Sequence, residues 1–227
     1  MTLTIYDTLE QSSPEWLEAR RGIITASTVG KLLTATGKVA NNDTSRALTH
    51  ALIAERITGR VEYSAPSRDM QRGTLLEPYA RDLYARNYAP VQEIGFMRFE
   101  NTNGSAIGYS PDGLVGEDGL IEIKSRTPRI QVNTILADRV PAANMAQLQA
   151  GLFVSGRDWI DYVSYSPGLP LYVKRVQPDA AWFAAIIDAV EAFEATARET
   201  LAQYRAAVAD MPATEYFDPF EEMEEIE

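Results

Sequence analysis

The stretch Gly108-Tyr-Ser-Pro-Asp-Gly-Leu114, followed by Leu120-Ile-Glu-Ile-Lys-Ser125, places two carboxylates and a lysine at a spacing that suits hydrolytic chemistry. Apolar and charged residues alternate from Leu120 to Lys124. A strand with its period of two therefore puts Glu122 and Lys124 on one face, for chemistry, and Ile121 and Ile123 on the other, for the core. Residues 106–114 also read as extended, and Val115-Gly-Glu-Asp-Gly119 is rich in turn formers, which predicts a hairpin. With those five residues as the loop, Asp112 lies opposite Glu122. Facing side chains have Cβ atoms roughly 4.5–5.5 Å apart, so like charges there repel unless a cation lies between them. Hard oxygen ligands suit Mg²⁺ or Mn²⁺, and the chain has no cysteine and one histidine for a softer metal. Lys124, on the same face, would orient a water or stabilise phosphate charge. The competing reading is a surface hairpin whose Glu122 and Lys124 face solvent.

The 227 residues, 45% hydrophobic and 9% aromatic, suffice for one substantial core. One domain is expected over residues 1–210, with an acidic tail over 211–227. The lack of cysteine excludes disulfides, an iron–sulfur cluster and a thiol nucleophile, and fits a cytoplasmic setting. No segment approaches the roughly 20 apolar residues that span a bilayer, and the first ten residues lack the basic and apolar runs of a leader. A net charge of −11 argues against a polyanionic partner. Its distribution changes that. Residues 210–227 hold eight acids and no base, so the other 209 carry 21 bases and 24 acids, a net of −3. A locally basic channel is compatible with such a body.

The elements around this stretch follow from capping and periodicity. Ser13 and Pro14 open a helix that Gly22 stops, and Thr25-Ala-Ser27 caps a short helix through Leu33, so Arg20 and Ser27 flank a turn. Thr44 or Ser45 is expected to cap a helix through Ile57, with Leu48, Leu52, Ile53 and Ile57 on one stripe and Gly59 beyond its end. After a loop containing Pro66, a third helix begins near Met70 and buries Leu76, Ala80, Leu83 and Tyr84. Its Glu77 precedes Pro78, which is expected to kink or restart it. Residues 91–99 read as a strand that leads into the hairpin, a meander at the centre of a mixed sheet. Arg126 and Arg129 follow in a loop broken by Pro128. Pro141 opens a small-residue helix carrying Gln147 and Gln149. Residues 159–165 and 171–176 form two further strands. Pro178 opens the longest helix, to about Val208, with Trp182, Ile186, Ile187, Val190, Phe193, Ala197 and Leu201 buried. Tyr216, Phe217 and Phe220 give the tail apolar anchors.

Taken in order, these pieces resemble the phage lambda exonuclease family, the YqaJ-type viral recombinases of the PD-(D/E)xK nuclease superfamily. The resemblance is carried by Trp16, Arg20, Gly22 and Thr25-Ala-Ser27; by Gly73 and Glu77; by Ser110-Pro-Asp-Gly-Leu114; by Glu122 and Lys124; by Met145-Ala-Gln147 and Gln149; and by the strand pair of 159–176. It implies an α/β, restriction-endonuclease-like core, a mixed central β-sheet flanked by α-helices. It also implies Mg²⁺-dependent 5′-to-3′ digestion of one strand of linear double-stranded DNA to mononucleotides, by a ring-shaped homotrimer. Two Mg²⁺ ions are expected, with Mn²⁺ able to substitute. By motif matching, Glu77, Asp112, Glu122 and the Ile123 carbonyl would be metal ligands. Lys124 would activate the water, with Gln147 beside it. Arg20, Ser27 and Ser110 match positions that contact the 5′-phosphate, a duty shared by a basic residue after the catalytic strand, here Arg126 or Arg129. The sequence departs from related nucleases at Gly151, where their glutamine helix carries a tyrosine.

The resemblance further implies double-stranded DNA ends and a phage single-strand annealing protein as partners, in a host cytoplasm and with no membrane. The alternatives are a structure- or site-specific endonuclease with the same core, and a non-cutting DNA-end-binding recombination scaffold.

Overall fold

The computed structural model describes residues 2–34, 36–61 and 67–217. The loop residues 62–66, with Pro66, and the tail residues 218–227, with Phe220, lie outside them. The strands are β1 (Thr2–Tyr6), β2 (Ile24–Thr25), β3 (Phe96–Glu100), β4 (Ala106–Tyr109), β5 (Gly113–Val115), β6 (Gly119–Ser125), β7 (Trp159–Tyr165) and β8 (Tyr172–Val176). The helices are α1 (Pro14–Arg20), α2 (Ala26–Val29), α3 (Asp43–Thr58), α4 (Arg68–Asn87), α5 (Pro128–Ala137), α6 (Ala142–Ser155) and α7 (Ala180–Ala207), with a 3₁₀ turn at Gly30–Leu32.

The strands form two four-stranded sheets, ordered β1-β3-β4-β2 and β5-β6-β7-β8. Both are mixed, because β2 pairs parallel with β4 and β6 pairs parallel with β7. A parallel pair needs a crossover, and α5 and α6 supply it between β6 and β7. The single extended run expected over 106–114 is two strands in different sheets, broken at Ser110-Pro111-Asp112. Proline there has no amide to give to a ladder, so the chain leaves one sheet and enters the other at the residue that bears the carboxylate. The five-residue loop is tighter than expected, since Val115 still pairs with Gly119. The register is unaltered: Gly113 faces Ile121, so Asp112 stands opposite Glu122.

The alternation of β6 is used on both faces. Ile121 and Ile123 pack with Ala80 and Tyr84 of α4, while Leu120 joins the main cluster with Leu148, Ile160 and Ile186. Glu122, only 2% exposed, is therefore no solvent-facing residue, and the surface-hairpin reading fails. Tight packing extends to Gly119, where a Cβ would stand 2.1 Å from the Trp159 ring. Gly119→Ala is expected to destabilise the fold by about 1–3 kcal/mol, the usual range for overpacking, read as a lowered midpoint in urea.

Several boundaries differ from expectation. The cap of α3 is Asn42, whose side chain accepts from the Ser45 amide (2.9 Å), so Ser45 lies inside the helix. α4 starts at Arg68 and runs unbroken through Pro78, so that proline costs one hydrogen bond without ending the helix. Strand β3 starts at Phe96, and residues 91–95 contribute only the isolated bridge Gln92–Leu114. Pro128 opens α5 instead of breaking a loop, because proline at the first helical position loses no bond the helix would make. On α7, Ile186, Val190, Phe193 and Ala197 follow one face, whereas Ile187, 37% exposed, sits a residue off it. Ile57, at the end of α3, is exposed as well. Among the described residues no helix is long and apolar enough to cross a membrane.

Candidate active site

One cleft of about 470 Å³ gathers most of the residues singled out from the sequence. Asp112, Glu122, Ile123 and Lys124 form its floor, and Glu77 of α4, Gln147 of α6, Arg20, Ser27, Ser110 and Arg126 line its walls. Arg129 is not among the lining residues; it is exposed on the first turn of α5.

On the floor, the Ile123 amide donates to Asp112 Oδ2 (2.6 Å), which ties the carboxylate to the strand it faces. Glu122 receives three donors: Lys124 Nζ (2.6 Å) and Gln147 Nε2 (2.5 Å) on Oε1, and the Tyr109 hydroxyl (3.1 Å) on Oε2. Burial pushes the Asp112 carboxyl well above its ordinary range, and the charges of Glu122 and Glu77 push it further. Burial also raises Glu77, against the pull of Arg81. For Lys124, burial works against the charged form but is outweighed by Glu122 and Asp112, so the ammonium is held above its usual pKa. Tyr109 is raised well above its ordinary value, by burial first and then by the two carboxylates, so it remains a donor.

Two of these side chains were not picked out from the sequence. Tyr109 reads as one more apolar residue of an extended run, yet its hydroxyl reaches the active-site carboxylate. Its ring lies against Gly151, where a Cβ would come within 2.8 Å. Glycine at that position leaves the room the Tyr109 ring takes. Arg81 pairs with Glu77 one turn away, with Glu93 (2.7 Å), and with the Asp112 carbonyl through Nε (2.8 Å). The signal for it was the Glu77–Arg81 spacing of four on a helix.

Also lining the cleft, the Trp16 indole donates to Ser110 Oγ (3.0 Å) and carries the Arg20 guanidinium over its ring at 4.0 Å. Ser110 is an acceptor in that bond, so its own proton is free to donate into the cleft. Ser27 hydrogen-bonds Thr25 through their hydroxyls (3.1 Å). The Gly22 turn that follows Arg20 is fixed by α3: Glu55 accepts from the Gly22 amide (2.7 Å) and Arg56 donates to its carbonyl (2.6 Å). Arg126 reaches Asn144 (2.7 Å) and the Tyr162 hydroxyl (3.1 Å), but its Nε and the neighbouring Ser125 Oγ are buried with no partner.

A family model described as the YqaJ-like viral recombinase domain matches residues 15–158. The chain belongs to that family. The match runs from α1 to the start of β7 and so contains every residue of the cleft floor. An alkaline exonuclease, LHK-Exo, from Laribacter hongkongensis is 33% identical, with a TM-score of 0.76 over 88% of this chain and 100% of that one. The same enzyme in complex with dAMP gives a TM-score of 0.77. A phage-related exonuclease from Haemophilus somnus 129PT, 16% identical, shares the fold with a TM-score of 0.58 over 80% of this chain and 96% of that one. No curated protein matches the chain. This YqaJ-family chain is accordingly a nuclease with a restriction-endonuclease-like core.

The donor set suits a hard divalent cation: oxygen ligands only, and carboxylates whose mutual repulsion a cation would relieve. Among the described residues, however, no three Asp, Glu, His or Cys side chains stand together as a ready metal cluster. Glu77 is turned onto Arg81, and Glu122 Oε1 is taken by Lys124 and Gln147.

Proposed function

We propose that the chain is a Mg²⁺-dependent exonuclease that degrades one strand of linear double-stranded DNA, 5′ to 3′, from phosphorylated ends to mononucleotides. The observation that carries this reading is an anion subsite and a hydrolytic set in one cleft. Arg20, Ser27, Ser110 and Arg126 are the first group of lining residues, and Asp112, Glu122 and Lys124 the second. A terminal phosphate held at the first would present the adjoining phosphodiester to the second.

Asp112, Glu122 and the Ile123 carbonyl would hold Mg²⁺ or Mn²⁺, joined by Glu77 on release from Arg81. The chemistry supplied there is polarisation of a phosphoryl oxygen and a lowered pKa for water. The chain's own residues do the rest. Lys124, kept charged, positions the attacking water and faces the negative charge that grows on the phosphoryl group. Gln147 and Tyr109 fix the two oxygens of Glu122, so that carboxylate does not rotate as the reaction proceeds. The unpaired Ser125 and Arg126 donors suit an anion, because a buried donor without an acceptor costs about 1–3 kcal/mol. Digestion to mononucleotides is in keeping with the relative solved with dAMP. A homotrimeric ring around the duplex, a second Mg²⁺, a phage single-strand annealing protein that takes the 3′ strand, and action in the host cytoplasm belong to the same proposal.

The test is linear duplex carrying a 5′-phosphate on one strand only, with Mg²⁺. The phosphorylated strand is expected to be lost as mononucleotides while its complement survives. Arg126→Gln is expected to reduce the preference for phosphorylated over hydroxyl ends by about 10–100-fold, the worth of a charged hydrogen bond of about 1.5–3 kcal/mol. Equal rates on both ends for the native chain would remove the subsite. Cutting of closed circular duplex would assign an endonuclease, and end binding without product a scaffold.

A further inference from the structure

Among the described residues four buried side-chain polar atoms have no partner: Arg72 Nε, Ser125 Oγ, Arg126 Nε and Ser166 Oγ. Three of them, all but Ser166, belong to residues lining the active-site cleft. Ser125 and Arg126 fall within the terminal-phosphate subsite. Arg72 does not; it projects from α4, on another wall. Its one ion pair among the described residues is with Asp69 (2.9 Å), whose side chain is 79% exposed. Such a pair contributes at most about 1 kcal/mol and leaves Nε unsatisfied. The guanidinium thus lines the cleft with its Nε unsatisfied.

Its position on α4 indicates the ligand. Arg72 precedes Glu77 by five residues, which is about 7.5 Å along a helix rising 1.5 Å per residue. Both residues line the cleft, so a duplex whose scissile phosphate lies at the carboxylates would carry another phosphate of its backbone past Arg72. Met70, 63% exposed, lies two residues before Arg72 on the same helix and also lines the cleft. We propose that Arg72 takes an internal phosphodiester of the duplex, at a subsite separate from the one for the 5′-terminal phosphate. This rests on the cleft being the DNA channel of a nuclease.

The experiment is equilibrium binding of a blunt duplex with 5′-hydroxyl ends, in chelator so that nothing is cut, over about 50–200 mM salt. Using 5′-hydroxyl ends removes the terminal phosphate from the measurement. Arg72→Gln is expected to bind about tenfold more weakly at low salt, with the slope of log Kd against log salt reduced by about one. Arg72→Lys, which keeps the charge, is expected to retain the native slope, and a role in packing alone would not be rescued in this way. The ratio of affinities for phosphorylated and hydroxyl ends is expected to be unchanged in Arg72→Gln. A native slope in Arg72→Gln, or a loss confined to phosphorylated ends, overturns the assignment and leaves the nuclease reading intact. Failure of the native chain to bind duplex at all would overturn both.

Discussion

Lys124→Ala is expected to slow hydrolysis of 5′-phosphorylated duplex by about 10²–10⁴-fold, the range of a positioned proton-transfer group. It is also expected to lower stability in the same protein. The two losses have one cause. Lys124 Nζ stands 2.6 Å from Glu122 Oε1, and Glu122 is 2% exposed. Without the ammonium, that carboxylate keeps the Gln147 and Tyr109 donors but loses its countercharge. Removing one member of a buried pair costs about 3–5 kcal/mol, and the partial exposure of the Lys124 side chain places this case toward the lower end. The pH dependence has a definite sign. Lys124 has its pKa raised by Glu122 and Asp112 over the opposing effect of burial. The stability it contributes is therefore complete below the ordinary lysine value and is lost only as pH rises through the raised one. Across the neutral and mildly alkaline range the native chain keeps this contribution. Single-turnover digestion beside thermal melts separates the effects, and a native-like rate in Lys124→Ala would remove the lysine from the mechanism.

The floor of this site is legible in the sequence because it is local. Alternation along Leu120 to Lys124 and a glycine-bounded turn determine that Asp112 opposes Glu122, and they do so whether the loop has five residues or three. What the pattern does not reveal is that residues 106–114 change sheets at Ser110-Pro111-Asp112, since each half is equally extended on its own. The choice between Arg126 and Arg129 depended on how Pro128 was read. As a breaker it leaves both arginines in one loop, whereas at the first position of α5 it sends Arg129 to the surface and leaves Arg126 in the cleft. Tyr109 was hidden for a different reason. A tyrosine in an apolar run is indistinguishable from core until the partner of its hydroxyl is known, and that partner is 13 residues away across two sheets. Arg81 was available as a helical pair with Glu77, but its bond to the Asp112 carbonyl, which joins α4 to the start of β5, depends on tertiary packing.

Asp112→Asn should give a nuclease without activity that nevertheless melts higher than the native chain when both are free of metal. The carboxyl of Asp112 is raised well above its ordinary value, by burial first and then by Glu122 and Glu77, with Lys124 and the Ile123 amide opposing. A group whose folded pKa exceeds its unfolded one contributes stability that is fully present below the unfolded value and lost as pH rises through the folded value. Above that point the ionised Asp112 works against folding. Asparagine keeps an oxygen for the Ile123 amide, 2.6 Å from Asp112 Oδ2 in the native chain, and removes the charge. In chelator at neutral to alkaline pH, the midpoint of Asp112→Asn is expected to lie above the native one by about 2–4 °C for each 1 kcal/mol of repulsion relieved. The difference should narrow on acidification, as the native carboxyl takes up its proton. Added Mg²⁺ should reverse the order, because a ligand that binds only the folded state raises the native midpoint with concentration and has lost a ligand in the variant. A lower midpoint for Asp112→Asn in chelator at alkaline pH would show that the carboxylate stabilises the fold it sits in. The site would then not be one whose repulsion is held in place for a cation.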